Sequence, residues 1–204
     1  TPEKVVEILN EYLKAFCDII INNRGLVNKF LGDGLMALFG APTEFSDHPD
    51  MAVKSAFECF KINTELSKDF GLNVRIGVNS GKMILGNLGG GKRLEYTAIG
   101  DNVNLASRLE GANKFFDTRI MAGENTYNAL SDKSRLNYLG KFSVKGKDIP
   151  VGFYFYSDAA PEDVIQFKNV IKYYESGNES EFINSLKYFD NKNLPKIEKD
   201  LLSL

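Results

Sequence analysis

Cysteine and histidine are scarce in this sequence of 204 residues, which contains two cysteines and one histidine. Cys17 and Cys59 form no CxxC pair, and neither has a histidine at metal-ligand spacing. These features exclude a disulfide framework and a zinc site built from cysteine and histidine. We therefore predict that both thiols are reduced and lie in helical segments of the core of a cytoplasmic protein.

An excess of charge of one sign is also missing, because 25 basic residues stand against 27 acidic ones and the net charge is −2. This balance does not indicate binding to nucleic acid or to anionic lipid. No apolar run approaches the ~20 residues of a membrane-spanning helix, and the first residues do not resemble a signal peptide. We expect no nucleic-acid partner, and membrane attachment only through a segment outside this sequence.

The remaining residues carry alternating helical and strand patterns. Apolar residues at helical spacing predict helices over residues 1–23, 50–68 and 102–116, and the first of these starts without a preceding strand. The segments between them show the alternation of β-strands, arranged as antiparallel pairs. Together these patterns predict an α+β sandwich with helices packed on a sheet.

The composition changes near Pro161, where the sequence becomes helical and charged. A Ser176-Gly177-Asn178 break separates two segments with helical periodicity, which predicts a helical hairpin. We therefore divide the chain into a main domain over residues 1–157 and a C-terminal helical appendage over residues 158–204.

Two groups of polar residues could carry chemistry. Asp33-Gly34 joins two apolar strands and predicts a hairpin turn, although an exposed aspartate at such a tip could also bind a metal ion. Asn104 and Arg108 lie four residues apart on a predicted helix, so their side chains leave the same face. An amide beside a guanidinium can hold a sugar and a phosphate, and a solvated polar face is the alternative.

Four separated blocks carry a resemblance to a known family. NKFLGDGLMALFGAP, VRIGVNSGKMILGNLG, KRLEYTAIGDNVNLASRLEG and VKGKDIPVGFYFY, in this order, resemble the catalytic domain of the class III adenylate and guanylate cyclases. The resemblance covers residues 1 to about 156. It implies a ferredoxin-like α+β core and a homodimer, in which two domains pair head to tail with the active sites between them.

Asp33 is similar to the second of two family aspartates that bind two Mg²⁺ or Mn²⁺ ions per site. In such a site one metal ion lowers the pKa of the ribose 3′-hydroxyl and the other holds the triphosphate. In the family, the first aspartate lies on a strand before the first helix. This sequence begins at that helix, so the strand and its aspartate are not part of it. We expect a fragment of a longer protein, and the alternative is a catalytically silent relative.

Lys29 and Thr97 match the two purine-reading positions of the family. A lysine can donate to N1 of adenine and a hydroxyl can accept from the 6-amino group, whereas guanine presents the opposite polarity at both positions. Guanylate cyclases typically have glutamate and cysteine here, so the resemblance implies ATP as substrate. Thr97 also resembles a subgroup in which bicarbonate stimulates turnover.

The resemblance assigns further contacts to the nucleotide. Asn104 resembles the residue that orients the ribose, and Arg108 resembles the one that meets charge on the α-phosphate. Lys145 is similar to the lysine that contacts the terminal phosphates, with Lys147 as the less favoured candidate.

The resemblance also bears on a glycine-rich segment in the middle of the sequence and on the helical tail. Lys92 or Arg93 could add a phosphate contact, and Gly89 to Gly91 resemble a loop over the cleft rather than a phosphate cradle. The helical tail weakly resembles tetratricopeptide-like helix pairs.

The resemblance therefore implies an adenylate cyclase that forms cyclic AMP and pyrophosphate from ATP. One alternative is a nucleotide-binding or dimerisation module that regulates a partner without turnover. A cyclic-di-GMP synthase, which shares the fold, needs a Gly-Gly-Asp/Glu-Glu-Phe hairpin that LGDGLM does not provide.

The base-reading assignment can be tested by exchanging both polar groups. We expect Lys29→Glu combined with Thr97→Cys to weaken ATP use and to admit GTP, because each mismatched buried polar group costs roughly 1–3 kcal/mol. The measurement is the kcat/KM ratio for the two nucleotides in the double variant and the wild type. Unchanged ATP turnover would remove the argument for base recognition by this pair.

Overall fold

The computed structural model describes residues 2–70, 73–90, 93–116, 118–143, 149–156 and 161–187. In chain order, its elements are α1 (Pro2–Asn22), β1 (Leu26–Leu31), β2 (Gly34–Leu38), α2 (His48–Phe70), β3 (Ile76–Val78), β4 (Ile84–Gly90), β5 (Arg93–Ile99), α3 (Asp101–Phe115), β6 (Ile120–Gly123), α4 (Glu124–Ala129), β7 (Asn137–Phe142), β8 (Val151–Phe155), α5 (Pro161–Glu175) and α6 (Glu179–Leu186). None of the helices in these ranges combines the length and the apolarity needed to cross a bilayer.

The described residues fall into two compact units. The first is drawn from residues 1–74, 80–104 and 129–131, and the second from residues 75–79, 105–128 and 132–204. The first unit contains α1, α2 and two antiparallel hairpins, β1–β2 and β4–β5.

In the first unit, α1 packs against α2. Periodicity correctly predicted the apolar side of α2, but on α1 it also included Val5 and Val6, which are exposed. Tyr12 and Ile20 are buried on α1, and Val53 and Phe57 are buried on α2. The bounds of both helices agree closely with the predicted ones, because the spacing of apolar residues and the burial of one face reflect the same periodicity.

The β4–β5 hairpin continues further than predicted. Its ladder runs from the Ile84↔Ile99 pair to the Gly90↔Arg93 pair, so Gly89 and Gly90 are strand residues and not part of a loop. Gly91 lies outside the described residues. The prediction of a loop over Gly89 and Gly90 was wrong because a glycine backbone can still pair in a ladder, even at the positive φ of 139° that Gly89 adopts.

The second unit is built on a four-stranded sheet with the order β3-β6-β8-β7. β6 and β8 pair antiparallel, as do β7 and β8, whereas β3 pairs parallel with β6. The prediction of antiparallel pairs was therefore wrong for β3. Parallel neighbours need a long crossover connection, and β4, β5 and α3 all lie between these two strands in the chain.

The core of this unit forms where α3 covers the sheet. Its buried cluster comprises Leu105, Leu109, Met121, Leu139, Phe153 and Phe155. α3 lies so close to β3 that a Cβ added to Gly77 would stand 2.2 Å from the Ala106 carbonyl oxygen and 2.4 Å from the Glu110 nitrogen. Position 77 therefore accepts no side chain unless the helix shifts.

The predicted C-terminal helices are present as α5 and α6, and the break between them contains Gly177 with a φ of +67°. α5 packs on the sheet of the second unit, where Val170 and Ile171 are buried and the Phe167 ring meets Phe155 edge to face. α5 thus adds a layer to this core. The resemblance to tetratricopeptide-like pairs stays a prediction.

Both cysteines are free thiols, Cys59 buried and Cys17 partly buried. Burial, together with the neighbouring Glu58 carboxylate, raises the pKa of Cys59 to about 12. The thiol of Cys59 is therefore protonated and unreactive near neutral pH, as expected for a structural cysteine.

The close seating of α3 on β3 predicts a large effect of one methyl group. We expect Gly77→Ala to lower the free energy of unfolding by about 1–3 kcal/mol, because the new Cβ meets backbone atoms that cannot rotate away. Urea denaturation followed by circular dichroism measures this loss.

Gly111→Ala, on the same helix, is the matched control. Within the described part of the chain, and apart from its two neighbours and the backbone of its own helix, no heavy atom lies within 4 Å of a Cβ at Gly111. This variant should gain about 0.5–1 kcal/mol, because alanine favours the helix over glycine. Equal stability of the Gly77→Ala variant and the wild type would contradict the described packing of α3.

Candidate functional site

The tip of the β1–β2 hairpin consists of Gly32 and Asp33, since Leu31 and Gly34 form the last pair of the ladder. The turn therefore lies one residue earlier than the predicted Asp33-Gly34 turn. Gly32 has a φ of +65°, which suits the first residue of a tight hairpin turn and costs glycine little. Asp33 is exposed at the tip, where its carboxylate is accessible to an ion.

Strand β1 contains a bulge at Asn28. Val27 pairs with Ala37 and Lys29 pairs with the next residue, Met36, so Asn28 is an extra residue in the ladder. A bulge interrupts the strict alternation of side chains between the two faces of a strand. As a result, the consecutive side chains of Asn28 and Lys29 both reach β5.

Lys29 forms an ion pair with Glu95 on β5, with 2.6 Å between Nζ and Oε1. The Lys29 side chain is 26% exposed and the Glu95 side chain is 55% exposed. An ion pair this open contributes little to stability, roughly 0–1 kcal/mol, but it restricts where the ammonium group can lie. Two of the three ammonium hydrogens remain for other acceptors.

Thr97 on β5 is 4% exposed, which makes it one of the most buried polar residues of the first unit. Its hydroxyl donates to Oδ1 of Asn28 at 3.2 Å, and Nδ2 of Asn28 donates to the Tyr96 carbonyl oxygen at 3.0 Å. The Asn28 side chain therefore links β1 to both the backbone and a side chain of β5.

The residues predicted to contact the ribose and the α-phosphate lie on α3, Asn104 near its start and Arg108 at its middle. The Gly100 carbonyl accepts hydrogen bonds from the backbone nitrogens of Val103 and Asn104, which closes the first turn of the helix. Asn104 and Arg108 are both exposed and lie one helical turn apart, as the spacing predicted. Both side chains are therefore accessible to a ligand on this face of α3.

The first turn of α3 is tied to the β3–β4 connection. Asn102 donates from Nδ2 to the Lys82 carbonyl oxygen at 2.9 Å. A Cβ added to Gly81 would stand 2.3 Å from the same amide nitrogen, so the absence of a side chain at Gly81 makes room for this contact. The interaction fixes where the helix starts and hence where Asn104 lies.

The other predicted phosphate contacts are not placed by the structure. Lys92, Lys145 and Lys147 lie outside the described residues. Arg93 begins β5, and its contact with a phosphate stays a prediction.

Asp33 has the donor chemistry of one metal ligand but not of a whole site. Within the described ranges, no group of three or more His, Cys, Asp and Glu side chains could hold a metal ion. Mg²⁺ is usually bound by one or two carboxylates together with substrate phosphates and water. The residues present therefore fit a metal ion that is shared with a bound nucleotide.

Sequence reasoning missed Asn28 and Glu95. A regular strand would direct Asn28 to the face opposite Lys29, and the residues alone give no sign of the bulge that changes this. The position of Glu95, two residues before Thr97, could have been used to find it. Residues at this spacing lie on the same face of a strand. An acidic residue on the face of a reading position is a candidate partner for Lys29.

The family model of the adenylate and guanylate cyclase catalytic domain matches residues 1–157. Adenylate cyclase 1 of Rhizobium meliloti (strain 1021) is 32% identical over 160 residues, which cover 76% of this chain and 24% of that protein. The chain thus spans about a quarter of the length of this relative.

Two solved structures show the same fold. The adenylyl cyclase CyaB from P. aeruginosa is 31% identical, with a TM-score of 0.69 over 78% of this chain and 85% of that one. The guanylyl cyclase Cya2 is also 31% identical, with a TM-score of 0.65 over 79% and 84% of the two chains. These similarities confirm the predicted α+β fold, and they do not distinguish an adenylyl from a guanylyl enzyme.

Proposed function

Because the chain belongs to the adenylate and guanylate cyclase catalytic domain family, we propose that it is the catalytic domain of an adenylate cyclase. The reaction is the conversion of ATP to 3′,5′-cyclic AMP and pyrophosphate. The observation that carries the choice of ATP is the polar pair Lys29 and Thr97, held on β1 and β5 by Glu95 and Asn28.

The polarity of this pair suits adenine. The Lys29 ammonium group donates to an acceptor such as adenine N1, whereas N1 of guanine carries a hydrogen. The ion pair with Glu95 leaves ammonium hydrogens for this contact. A guanine in the same position would bring a donor to a donor, which costs roughly 1–3 kcal/mol when water is excluded.

The chemical step is the attack of the ribose 3′-oxygen on the α-phosphorus. The new O–P bond forms as the bond from the α-phosphorus to pyrophosphate breaks, the 3′-hydroxyl proton passes to solvent, and negative charge builds on the α-phosphate oxygens. The Arg108 guanidinium stabilises this charge with directed hydrogen bonds, and the Asn104 amide orients the ribose. Divalent metal ions at Asp33 supply activation of the 3′-hydroxyl and charge neutralisation when bound.

We also propose that the domain works as a homodimer. The β4–β5 hairpin carries large apolar side chains that are between 43% and 75% exposed, namely Ile84, Leu88, Leu94, Tyr96 and Ile99. Apolar residues grouped on one exposed element indicate an interaction site. A second copy of the chain would cover them and would bring Asp33 of one copy to the nucleotide held by the other.

A catalytically silent nucleotide-binding module is the second candidate. It needs the base-reading residues but no metal ion at Asp33. In this case the base-reading residues would bind ATP to regulate a partner. Stimulation by bicarbonate is a further proposal that rests on Thr97 alone.

The proposed reaction is tested by measuring cyclic AMP from ATP, and cyclic GMP from GTP, with Mn²⁺ and with Mg²⁺. The assay compares this chain with the protein extended by its native upstream residues. We expect cyclic AMP formation in the extended protein and its loss with a chelator. ATP binding without any product in both forms would support the silent module instead.

Arg108 gives the sharpest test of the mechanism. We expect Arg108→Ala to lower kcat by about 100-fold or more with little change in KM, because the arginine meets charge that exists only in the transition state. Lys114→Ala, at an exposed position of the same helix, is the matched control and should leave both constants unchanged. A raised KM at constant kcat would make Arg108 a ground-state binding residue.

Dimerisation predicts that activity depends on protein concentration. We expect specific activity to fall on dilution, in parallel with the dimer fraction measured by analytical ultracentrifugation, because one copy alone cannot complete the site. Ile84→Asp should shift the curve to higher concentration, since it replaces the most exposed apolar side chain of this group with a charge. Constant specific activity in a monomeric sample would contradict the proposed dimer.

A further inference from the structure

We propose that Asn28 is a positioning residue that determines base specificity by fixing the hydrogen-bond polarity of Thr97. This inference rests on the proposed function, because it concerns the same nucleotide site. Asn28 holds the Thr97 hydroxyl so that it presents a lone pair to the base. The ligand class that this selects is a purine nucleotide with an exocyclic 6-amino group.

The Tyr96 carbonyl fixes the orientation of the Asn28 amide. A backbone carbonyl oxygen can only accept hydrogen bonds. The Tyr96 carbonyl oxygen, 3.0 Å from the Asn28 side chain, must therefore face the Nδ2 group. With Nδ2 held there, Oδ1 is directed to Thr97.

The orientation of the Asn28 amide in turn fixes the Thr97 hydroxyl. Oδ1 of Asn28 also can only accept, so the hydroxyl hydrogen of Thr97 points to it across 3.2 Å. A hydroxyl has one hydrogen and two lone pairs. With its hydrogen engaged, Thr97 can offer only lone pairs to a ligand.

A fixed Thr97 hydroxyl affects the choice of base. A threonine hydroxyl that is free to rotate discriminates poorly, since it can accept from the 6-amino group of adenine or donate to O6 of guanine. Thr97 is 4% exposed, so little water is available to replace Asn28 as the acceptor. O6 of guanine would face a lone pair of the Thr97 oxygen, which is unfavourable, whereas the 6-amino group of adenine would find an acceptor there. Asn28 is therefore the source of the discrimination.

The bulge in β1 makes this arrangement possible. Lys29 and Asn28 are consecutive, yet the first contacts Glu95 and the second contacts Tyr96 and Thr97. The extra residue in the ladder allows both side chains to reach β5. The Asn28-Lys29 segment therefore provides the lysine that donates to N1 and also orients the Thr97 hydroxyl as the acceptor for the 6-amino group.

The test measures binding and not turnover. The probes are 3′-deoxy-ATP and 3′-deoxy-GTP with Mn²⁺, which cannot cyclise because they lack the attacking hydroxyl, and isothermal titration calorimetry gives each Kd. We expect the wild type to prefer the adenine nucleotide. In Asn28→Ala the ratio of the two Kd values should fall by at least about fivefold, the lower end of the effect of one mismatched hydrogen bond.

A double-mutant cycle separates positioning from a merely structural role. In a Thr97→Val background the hydroxyl is absent, so we expect Asn28→Ala to leave the ratio of Kd values unchanged. Asn87→Ala is the matched control, because it removes an exposed asparagine from β4, opposite Tyr96 in the ladder. An Asn28→Ala variant with the wild-type ratio, or one whose effect persists without the Thr97 hydroxyl, would overturn the inference.

A second measurement needs no substitution and covers the case in which Asn28→Ala does not fold. The 3′-deoxy triphosphates of purine riboside and 6-methoxypurine riboside both have an acceptor at N1, and the second adds an acceptor opposite Thr97. We expect the wild type to bind the 6-methoxy compound more weakly. Equal or tighter binding would show that the hydroxyl turns to donate, which contradicts the proposed role of Asn28.

The outcomes for function and for specificity are distinguishable. Absence of cyclic AMP formation with a changed Kd ratio in Asn28→Ala would reject the enzyme and support the inference. Turnover with an unchanged ratio would support the enzyme and reject the inference. Failure of the wild type to bind either nucleotide would reject both.

Discussion

The contact between α3 and the backbone of β3 constrains the position of two exposed candidate residues, Asn104 and Arg108. Gly77 leaves no space between helix and strand, and Leu105 and Leu109 lock the inner face of α3 into the core. Residues one position before these two, Asn104 and Arg108, must then face outward. The exposure of these two polar side chains thus results from the burial of their apolar neighbours. No separate interaction is required to keep them on the outer face of α3.

The proposed base reading depends on a different kind of constraint. On β1 and β5, contacts between polar side chains would determine which groups can donate to a base and which can accept from it. The Lys29 side chain is partly exposed and its partner Glu95 is exposed, whereas the Thr97 side chain is buried. The burial of Thr97 and the partial exposure of Lys29 suit a site that must exclude water and still admit a base.

Much of the fold could be predicted, because helices such as α1 and α2 show their buried faces directly in the spacing of apolar residues. The parallel β3–β6 pair could not, since strand alternation does not specify a partner that lies beyond two strands and a helix. At the site, strand patterns placed Lys29 and Thr97 on β-strands, and helical spacing placed Asn104 beside Arg108. The roles of Asn28 and Glu95 depend on a bulge and on cross-strand contacts, which a one-dimensional pattern does not contain.

The bulge in β1 also bears on how this domain could change its substrate. Loss of one residue near Asn28 would restore the regular alternation of the strand, and two consecutive side chains could no longer face β5 together. A deletion could therefore alter nucleotide choice without replacing any residue that touches the base. Under the proposed base reading, transfer of the lysine and the threonine to another scaffold would carry over only part of the recognition, because the extra residue of β1 is what places Asn28 against β5.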